Sequence, residues 1–398
     1  MKKIILHCDL NNFFASAALI KNPTLRGLPI AVCGDEKKRH GIVLAKNNIA
    51  KSYGISTAET VWEARRKCPN LVILSPDYKL YKKISLEAHK IYLDYSDKVE
   101  PFGIDECWID ISNMGTDFKT GEITANEIRS HIKRELGVTI SVGVSFNKTF
   151  AKLGSDLKKP DAVTVITPDN YIKKIYPLSC SNLIMVGKSA IKSLNQMGIF
   201  TIGDLASADE NALRIKMGKS GVCLKHTAQG NENSNVRSYY DLTQPKSISN
   251  SATTERDFLN YDEVYVAFLK FSEQISAALQ RHKLVAGGIA VHTVTNDFIK
   301  REYSTSLDVP TDISASLAQS AFSLFKKNCR FEKPFRNVGI RVFKLAGRND
   351  SALQLSMFED KESLVQSKID EEMMLLRDKY GENIIYRAIC MKEDKTLG

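Results

Sequence analysis

The chain has 398 residues, a net charge of +10 and a hydrophobic content of 43%. Its length predicts about two to four domains. Its charge suits a polyanionic partner without selecting nucleic acid over a membrane surface or an acidic protein.

No apolar run approaches the ~20 residues of a membrane span, and no secretory leader follows Lys2 and Lys3. The eight cysteines are scattered without a CxxC pair. That argues against a zinc site or a disulfide framework and predicts a reducing, cytoplasmic setting.

In chain order, "KIILHCD" (3–9) reads as a strand and "NNFFASAALI" continues as a helix with small residues for close packing. "LPIAVCG" (28–34) and "GIVLAKN" (41–47) predict two short strands joined by the charged turn "DEKKRH". "TAETVWEARRKC" is helical and stops at Pro69, and residues 81–96 carry helical apolar spacing at Ile84, Leu86, Ile91 and Leu93. "KVEPFGIDECWIDIS" (98–112) reads as two strand-like runs meeting at "FGIDE". "ANEIRSHIKREL" is a helix ended by Gly137, and "TISVGVS" is a buried strand. This interleaving predicts an α+β or α/β core with acids at its strand ends.

From 169 to 230 the character changes to short helices and glycine turns, and residues 235–247 read as a polar linker. Beyond it, "DEVYVAFLKFSEQISAALQRHK" and "ISASLAQSAFSLFKKN" are helices, "GGIAVHTVTNDF" alternates like a half-exposed strand, and "VGIRVFKL" is another strand. Together they predict a small α/β sandwich. Residues 244–348 hold 15 Lys/Arg against 10 Asp/Glu, a net +5.

A lone acid at a strand end needs partners, and Asp105 and Glu106 are the best candidates. Consecutive strand residues face opposite ways, so one of this pair should point into a core unless the chain turns there. A solvated turn is the plain alternative. If instead Asp9, Asp105 and Glu106 converge, three carboxylates form a site for hard divalent cations of the kind that serve phosphoryl transfer.

"HCDLNNFFAS", "VEPFGIDECWIDIS", "SVGVSFNKTFAKLGSDLKKPDAV" and "VGKSAIKSLNQMGIFTIGDLA" occur in this order, and together they resemble the Y-family of translesion DNA polymerases. The layout is similar to the polymerase IV branch, with some features of the polymerase V catalytic subunit. The resemblance spans roughly residues 1–358 and implies an α+β right-hand fold. It places a palm at 1–14 and 76–168, small fingers at 15–75, a helix–hairpin–helix thumb at 169–234, a linker at 235–243 and a little finger at 244–348. A clamp-binding peptide and a helical tail fill 349–398.

The resemblance also implies roles. Asp9, Asp105 and Glu106, with the backbone carbonyl of Leu10, match the ligands of two Mg²⁺ ions, which Mn²⁺ could replace. Phe14, five residues after Asp9, matches the steric gate beneath the sugar of the incoming nucleotide. Phe13 shares the nucleotide-binding position, although core packing suits it better. Lys159 matches the lysine on the triphosphate. Asn48 and Lys51 stand where many members carry a Tyr and an Arg on the β- and γ-phosphates. Asn11 replaces the acid often seen two residues after the first ligand.

Gly187 and Gly218 read as hairpin turns that present backbone N–H groups to DNA phosphates, with Lys188 and Lys219 adding charge. Thr253, Arg256, Arg341 and Lys344 are the DNA-contact candidates of the basic module. Gln354, Leu355, Met357 and Phe358 match a sliding-clamp peptide.

The expected activity is template-directed addition of dNTPs to a primer 3′-OH. The expected partners are primer–template DNA, dNTP and a sliding clamp, with no membrane and a monomeric chain. One rival is a nucleotide cyclase, which needs neither the hairpins nor the basic module. The other is a non-catalytic DNA- and clamp-binding factor, of which Asn48 and Lys51 would be signs.

Overall fold

The apolar run that reaches Asp9 becomes β1 (Ile5–Leu10), and all six of its residues are buried. The structure, a computed structural model, describes residues 3–36, 39, 41–115, 117–241, 244–348, 361–381 and 384–391. The clamp-peptide candidates Gln354, Leu355, Met357 and Phe358 therefore lie outside the described residues. The chain divides into two units, 1–35 with 41–242 and 36–40 with 243–398.

In the first unit, β1 leads into α1 (Phe13–Lys21), β2 (Ile30–Cys33), β3 (Val43–Lys46), α2 (Asn48–Ser52), α3 (Val61–Lys67) and β4 (Val72–Leu74). There follow α4 (Tyr78–Leu93), β5 (Val99–Phe102), β6 (Glu106–Asp110), α5 (Phe118–Leu136), β7 (Ile140–Ser145), α6 (Lys148–Leu157) and β8 (Val163–Val165). The last helices are α7 (Tyr171–Ile175), α8 (Lys188–Gln196), α9 (Ile202–Ser207), α10 (Glu210–Met217) and α11 (Lys219–Ala228).

The main sheet has the order β5-β6-β1-β7-β8, with β1 antiparallel to both β6 and β7. Side chains alternate along β1 with period two. Leu6, Cys8 and Leu10 join one core with Tyr81 and Ile84 of α4 and Ile128 of α5. Ile5 lies on the opposite face, packed with Trp108 and with Ala151 of α6. The same alternation puts His7 and Asp9 on the α6 face.

Gly143 of β7 lets α6 come this close. A Cβ built there would lie 1.8 Å from the Ala151 carbonyl oxygen and 2.5 Å from the Ser155 nitrogen. Backbone atoms of a packed helix cannot step aside, so Gly143→Ala is expected to cost about 3 kcal/mol or more of stability. Denaturant unfolding reads this directly; a loss below about 0.5 kcal/mol would show that the helix can lift freely.

β2, β3 and β4 form a separate three-stranded sheet in the order β3-β2-β4, with a small core of Ala31, Val43, Val61 and Ala64. α3 starts at Val61, later than the pattern suggests, because Thr60 and Glu63 form a capping box that stops the helix there. α7 to α11 enclose a core that includes Leu194, Ile202, Leu205, Leu213 and Leu224.

Gly187 differs from expectation. It caps α8 with φ −83°, and the left-handed positions flanking this segment are Met185 and Gly198. Gly218, between α10 and α11, has φ 66°, the left-handed conformation that favours glycine.

The second unit runs β9 (Ser247–Phe258), α12 (Tyr261–Arg281), β10 (Leu284–Thr295), β11 (Lys300–Thr311), α13 (Ser314–Asn328), β12 (Phe335–Gly347), α14 (Lys361–Tyr380) and α15 (Ala388–Met391). Its sheet order is β11-β10-β12-β9. β10 is a central strand and mostly buried, not half-exposed, because β11 and β12 flank it and Phe268 of α12 and Leu317 of α13 share its core. β9 and β11 carry polar residues on both faces in much of their length, so the sequence pattern passed over them.

The tail helices belong to this unit. Arg377 and Arg387 reach Glu273 of α12 at 2.8 and 2.7 Å, and Asp370 accepts from the Ser314 backbone nitrogen at 2.8 Å. No helix among the described residues is long and apolar enough to cross a membrane.

Candidate active site

Asp9 on β1 lies directly opposite Glu106 on β6. Leu10 donates its N–H to the Asp105 carbonyl at 3.0 Å, so positions 10 and 105 are hydrogen-bonded and positions 9 and 106 form the next, non-hydrogen-bonded pair. Such pairs hold their Cα atoms ~4.5 Å apart and bring the side chains closest. Asp105 sits in the turn of the β5–β6 hairpin, which Gly103 allows with φ 83°. The chain turns at the acidic pair, and neither carboxylate has to enter the core.

α6 and the turn after it bring lysines onto this acidic face. Lys152 Nζ stands 2.5 Å from Glu106, and Lys159 Nζ stands 2.6 Å from Asp9 and 2.9 Å from Asp156. One helical turn before Lys152, Lys148 pairs with Glu100 at 2.8 Å and lies over the Trp108 ring.

His7 locks the helix to the strand. Ser155 gives its single hydroxyl hydrogen to the Lys152 carbonyl, so His7 Nδ1 is the donor in their 2.8 Å contact. Burial, aided by Lys152 and Lys159, lowers the His7 pKa well below the ordinary range, and the ring is neutral.

The fold brings the three acids to one strand end, with Glu106 and Asp105 both close enough to act on the Asp9 carboxyl and be acted on by it. Lys159 and Lys152 each neutralise one of these acids. The donor set nonetheless fits a hard dication, being all carboxylate with a main-chain carbonyl at the same strand end.

The electrostatics agree. Burial pushes the Asp9 carboxyl up to about 6, opposed by Lys159 and reinforced by Glu106. Burial and then the Asp9 charge raise Asp105. Burial works against the Lys159 ammonium, yet Asp9 and Asp156 hold it above its ordinary value.

Asp9 therefore carries a stability cost with a defined pH window. Its ordinary value is 3.8 and its folded value about 6. Between these the native state keeps a proton that the unfolded chain has lost, so stability falls as pH rises through the window. Asp9→Asn in metal-free buffer is expected to be more stable than wild type at pH 7.5 by about 3 kcal/mol, with the gain gone by about pH 3. Equal unfolding midpoints at pH 7.5 would refute the strained carboxylate.

Phe14 is half-buried, and its ring stacks on Tyr81 at 4.2 Å and 7° while Tyr78 meets it edge-on at 5.9 Å. Phe13, only 3% exposed, lies in the sheet core and cannot line a nucleotide site. Its neighbours in the α1 helix alternate between core and surface, and Phe13 falls on the core side. Asn48 starts α2 and accepts from the amide of Asn12 at 3.0 Å, and Lys51 is exposed on the same short helix.

Gly187, Lys188 and Lys219 are exposed at the starts of α8 and α11. On the second unit's sheet, Val338, Ile340 and Val342 face the core, so Asn337, Gly339 and Arg341 face the open side with Thr253 opposite Asn337. Arg341 is paired with Glu302, and Lys344 reaches the Ser306 hydroxyl at 2.8 Å. Arg256 is committed to Glu263 at 2.9 Å.

Sequence reasoning missed Lys152, Tyr78, Tyr81 and Asn12. The four-residue spacing of Lys148 and Lys152 was the available signal for the first, since it is about one helical turn. The two tyrosines were legible only as a helix face.

A sequence model described as the impB/mucB/samB family matches residues 8–156, and one for that family's C-terminal domain matches residues 245–357. A DNA polymerase IV of Acetivibrio thermocellus is 44% identical over 394 residues, which cover 99% of this chain and 98% of that protein. DNA polymerase IV 1 of Bacillus subtilis is 34% identical, covering 100% of this chain and 95% of its own. A solved structure, the Y-family DNA polymerase chimera Dbh-Dpo4(243-245)-Dbh, superposes with a TM-score of 0.77 at 22% identity, covering 86% of this chain and 99% of its own. This last likeness is one of fold.

Proposed function

The chain belongs to the impB/mucB/samB family and is a Y-family, DNA-directed DNA polymerase of the polymerase IV type; from that premise we propose how its own residues carry out primer extension. The primer 3′-hydroxyl attacks the α-phosphate of a dNTP and pyrophosphate leaves. The observation that carries the site assignment is the pairing of Asp9 with Glu106 across β1 and β6, with Asp105 in the adjoining turn.

Asp9, Asp105, Glu106 and the Leu10 carbonyl would hold two Mg²⁺ ions, or Mn²⁺, which supply charge at the attacking and leaving oxygens. Lys159, Asn48 and Lys51 take the triphosphate, Lys159 as a point charge on phosphate oxygens. Phe14 forms the wall beneath the sugar, where a 2′-hydroxyl would collide with the ring.

Residues 1–14 and 76–168 serve as palm, 15–75 as fingers, 169–234 as thumb and 244–348 as little finger. Lys188 and Lys219 at their helix starts, and the open sheet face with Thr253 and Arg341, grip the DNA backbone without reading bases. Among the described residues the fingers hold most of α1, a three-stranded sheet and helices of five and seven residues. Such a small element supports an open site that admits damaged templates. The peptide at Gln354 to Phe358 docks on the sliding clamp.

The test is primer extension with Mg²⁺ and all four dNTPs on an undamaged and an abasic template. Extension of both supports the reading. DNA binding without extension would overturn it in favour of a non-catalytic DNA-binding factor.

A further inference from the structure

Asn11 stands where an acid is common in the family, and its surroundings give the amide a task. It is 4% exposed, and its polar groups are engaged. Nδ2 donates to Ser141 Oγ at 2.9 Å. Oδ1 accepts from the Asp161 backbone nitrogen at 2.8 Å and from Thr139 Oγ1 at 3.1 Å. Its main-chain N–H donates to the Thr139 carbonyl at 2.9 Å, and its carbonyl accepts from Ser16 Oγ at 2.6 Å.

The contact that matters is the one to Asp161. Pro160 has no N–H, so Asp161 supplies the first main-chain donor after Lys159. Asp161 has φ 53°, a left-handed conformation that needs support from its surroundings. From the other side, α5 grips the same residue. Arg129 donates to its carbonyl at 2.5 Å and to its carboxylate at 3.1 Å, and Lys133 reaches the carboxylate at 2.9 Å. The turn that carries Lys159 is thus held between a buried amide at the end of β1 and two cations on a helix.

We propose that Asn11 is a positioning residue, whose buried amide holds the Lys159–Asp161 turn and so sets where the Lys159 ammonium stands relative to Asp9. An aliphatic side chain would leave the Asp161 N–H buried without a partner. A carboxylate would accept the same hydrogen bond but add a buried negative charge two residues from Asp9, competing for Lys159. The neutral amide leaves the ammonium to Asp9 and, when substrate is bound, to phosphate. The inference rests on the reading of Lys159 as the triphosphate contact.

A double-mutant cycle separates the two. Single-nucleotide incorporation on a primer–template is measured for wild type, Asn11→Ala, Lys159→Ala and the double variant, with melting temperatures as a check on folding. Asn11→Ala is expected to raise KM for dNTP about tenfold, the scale of one buried hydrogen bond left unmade, with kcat changed less than about twofold. In the Lys159→Ala background the same substitution is expected to change KM by less than about twofold, because the residue acts through Lys159.

An equal KM increase in both backgrounds would overturn the inference and leave the Lys159 reading standing. An unchanged KM in Lys159→Ala alone would overturn both, and that single variant identifies the case. Should Asn11→Ala unfold, Arg129→Met releases the turn from its more exposed side. Its KM increase is expected to vanish without Lys159, and persistence of that increase would likewise count against the proposal.

Discussion

Asp105→Ala is expected to abolish primer extension, lowering kcat/KM by about 10³-fold or more, while primer–template binding stays within about twofold. The loss follows from where the residue stands. It occupies the hairpin turn beside the Asp9–Glu106 pair, where it would supply the third carboxylate of the site. The fold should tolerate the change. The contact that Asp105 gives β1 is its main-chain carbonyl, which accepts from Leu10 and survives truncation of the side chain. Its carboxylate is held above its ordinary pKa by burial and by Asp9, so ionisation there is a cost that the variant removes. DNA affinity comes from cations on phosphates, and deleting an anion cannot weaken that term. Steady-state incorporation and fluorescence-anisotropy binding on the same preparation separate the effects. Residual extension within about tenfold of wild type would move the chemistry away from this turn.

Phe14→Ala is expected to raise incorporation of a ribonucleotide relative to its deoxyribonucleotide by about 10²-fold in the ratio of kcat/KM. A steric gate discriminates only if it cannot move, and the surroundings of this ring hold it still. It lies flat on Tyr81 at 4.2 Å, with Tyr78 edge-on at 5.9 Å, and Tyr81 is itself fully buried. Offset and edge-on contacts of this kind contribute about 1 kcal/mol each beyond area burial. Tyr81→Leu should therefore loosen the gate without removing it and raise the ratio by about fivefold, one such contact's worth. The two neighbouring rings are placed differently, Phe13 in the core and Phe14 at its edge as the proposed wall. Continued exclusion of ribonucleotides by Phe14→Ala would place the wall elsewhere.

Much of this was legible in the chain before any fold. Strong local periodicity marked α4, α5, α12 and α13, whose apolar faces recur at helical spacing and whose ends carry caps such as Gly137. The acids at 9, 105 and 106 and the ring at 14 stood out because residue types and short spacings are local properties. β9 and β11 escaped notice because a strand that shows polar side chains on both faces has no alternation to read. The left-handed turns at Met185 and Asp161 escaped too, since no glycine marks them in the sequence.

The sequence by itself determined the chemistry on offer: three carboxylates, a pair of phenylalanines beside the first of them, lysines at glycine turns and a basic C-terminal region. Tertiary structure alone decided how these meet. The register that sets Asp9 opposite Glu106 joins residues about a hundred positions apart, and it depends on hydrogen bonds between whole strands. Lys152 arrives on a helix seated by the glycine at 143, and the turn bearing Lys159 donates a hydrogen bond to Asn11, some 150 residues earlier. Residue type and period are written locally. Register, close approach and the pairing of buried charges emerge only when distant segments compete for the same space, and that competition set the geometry of this site.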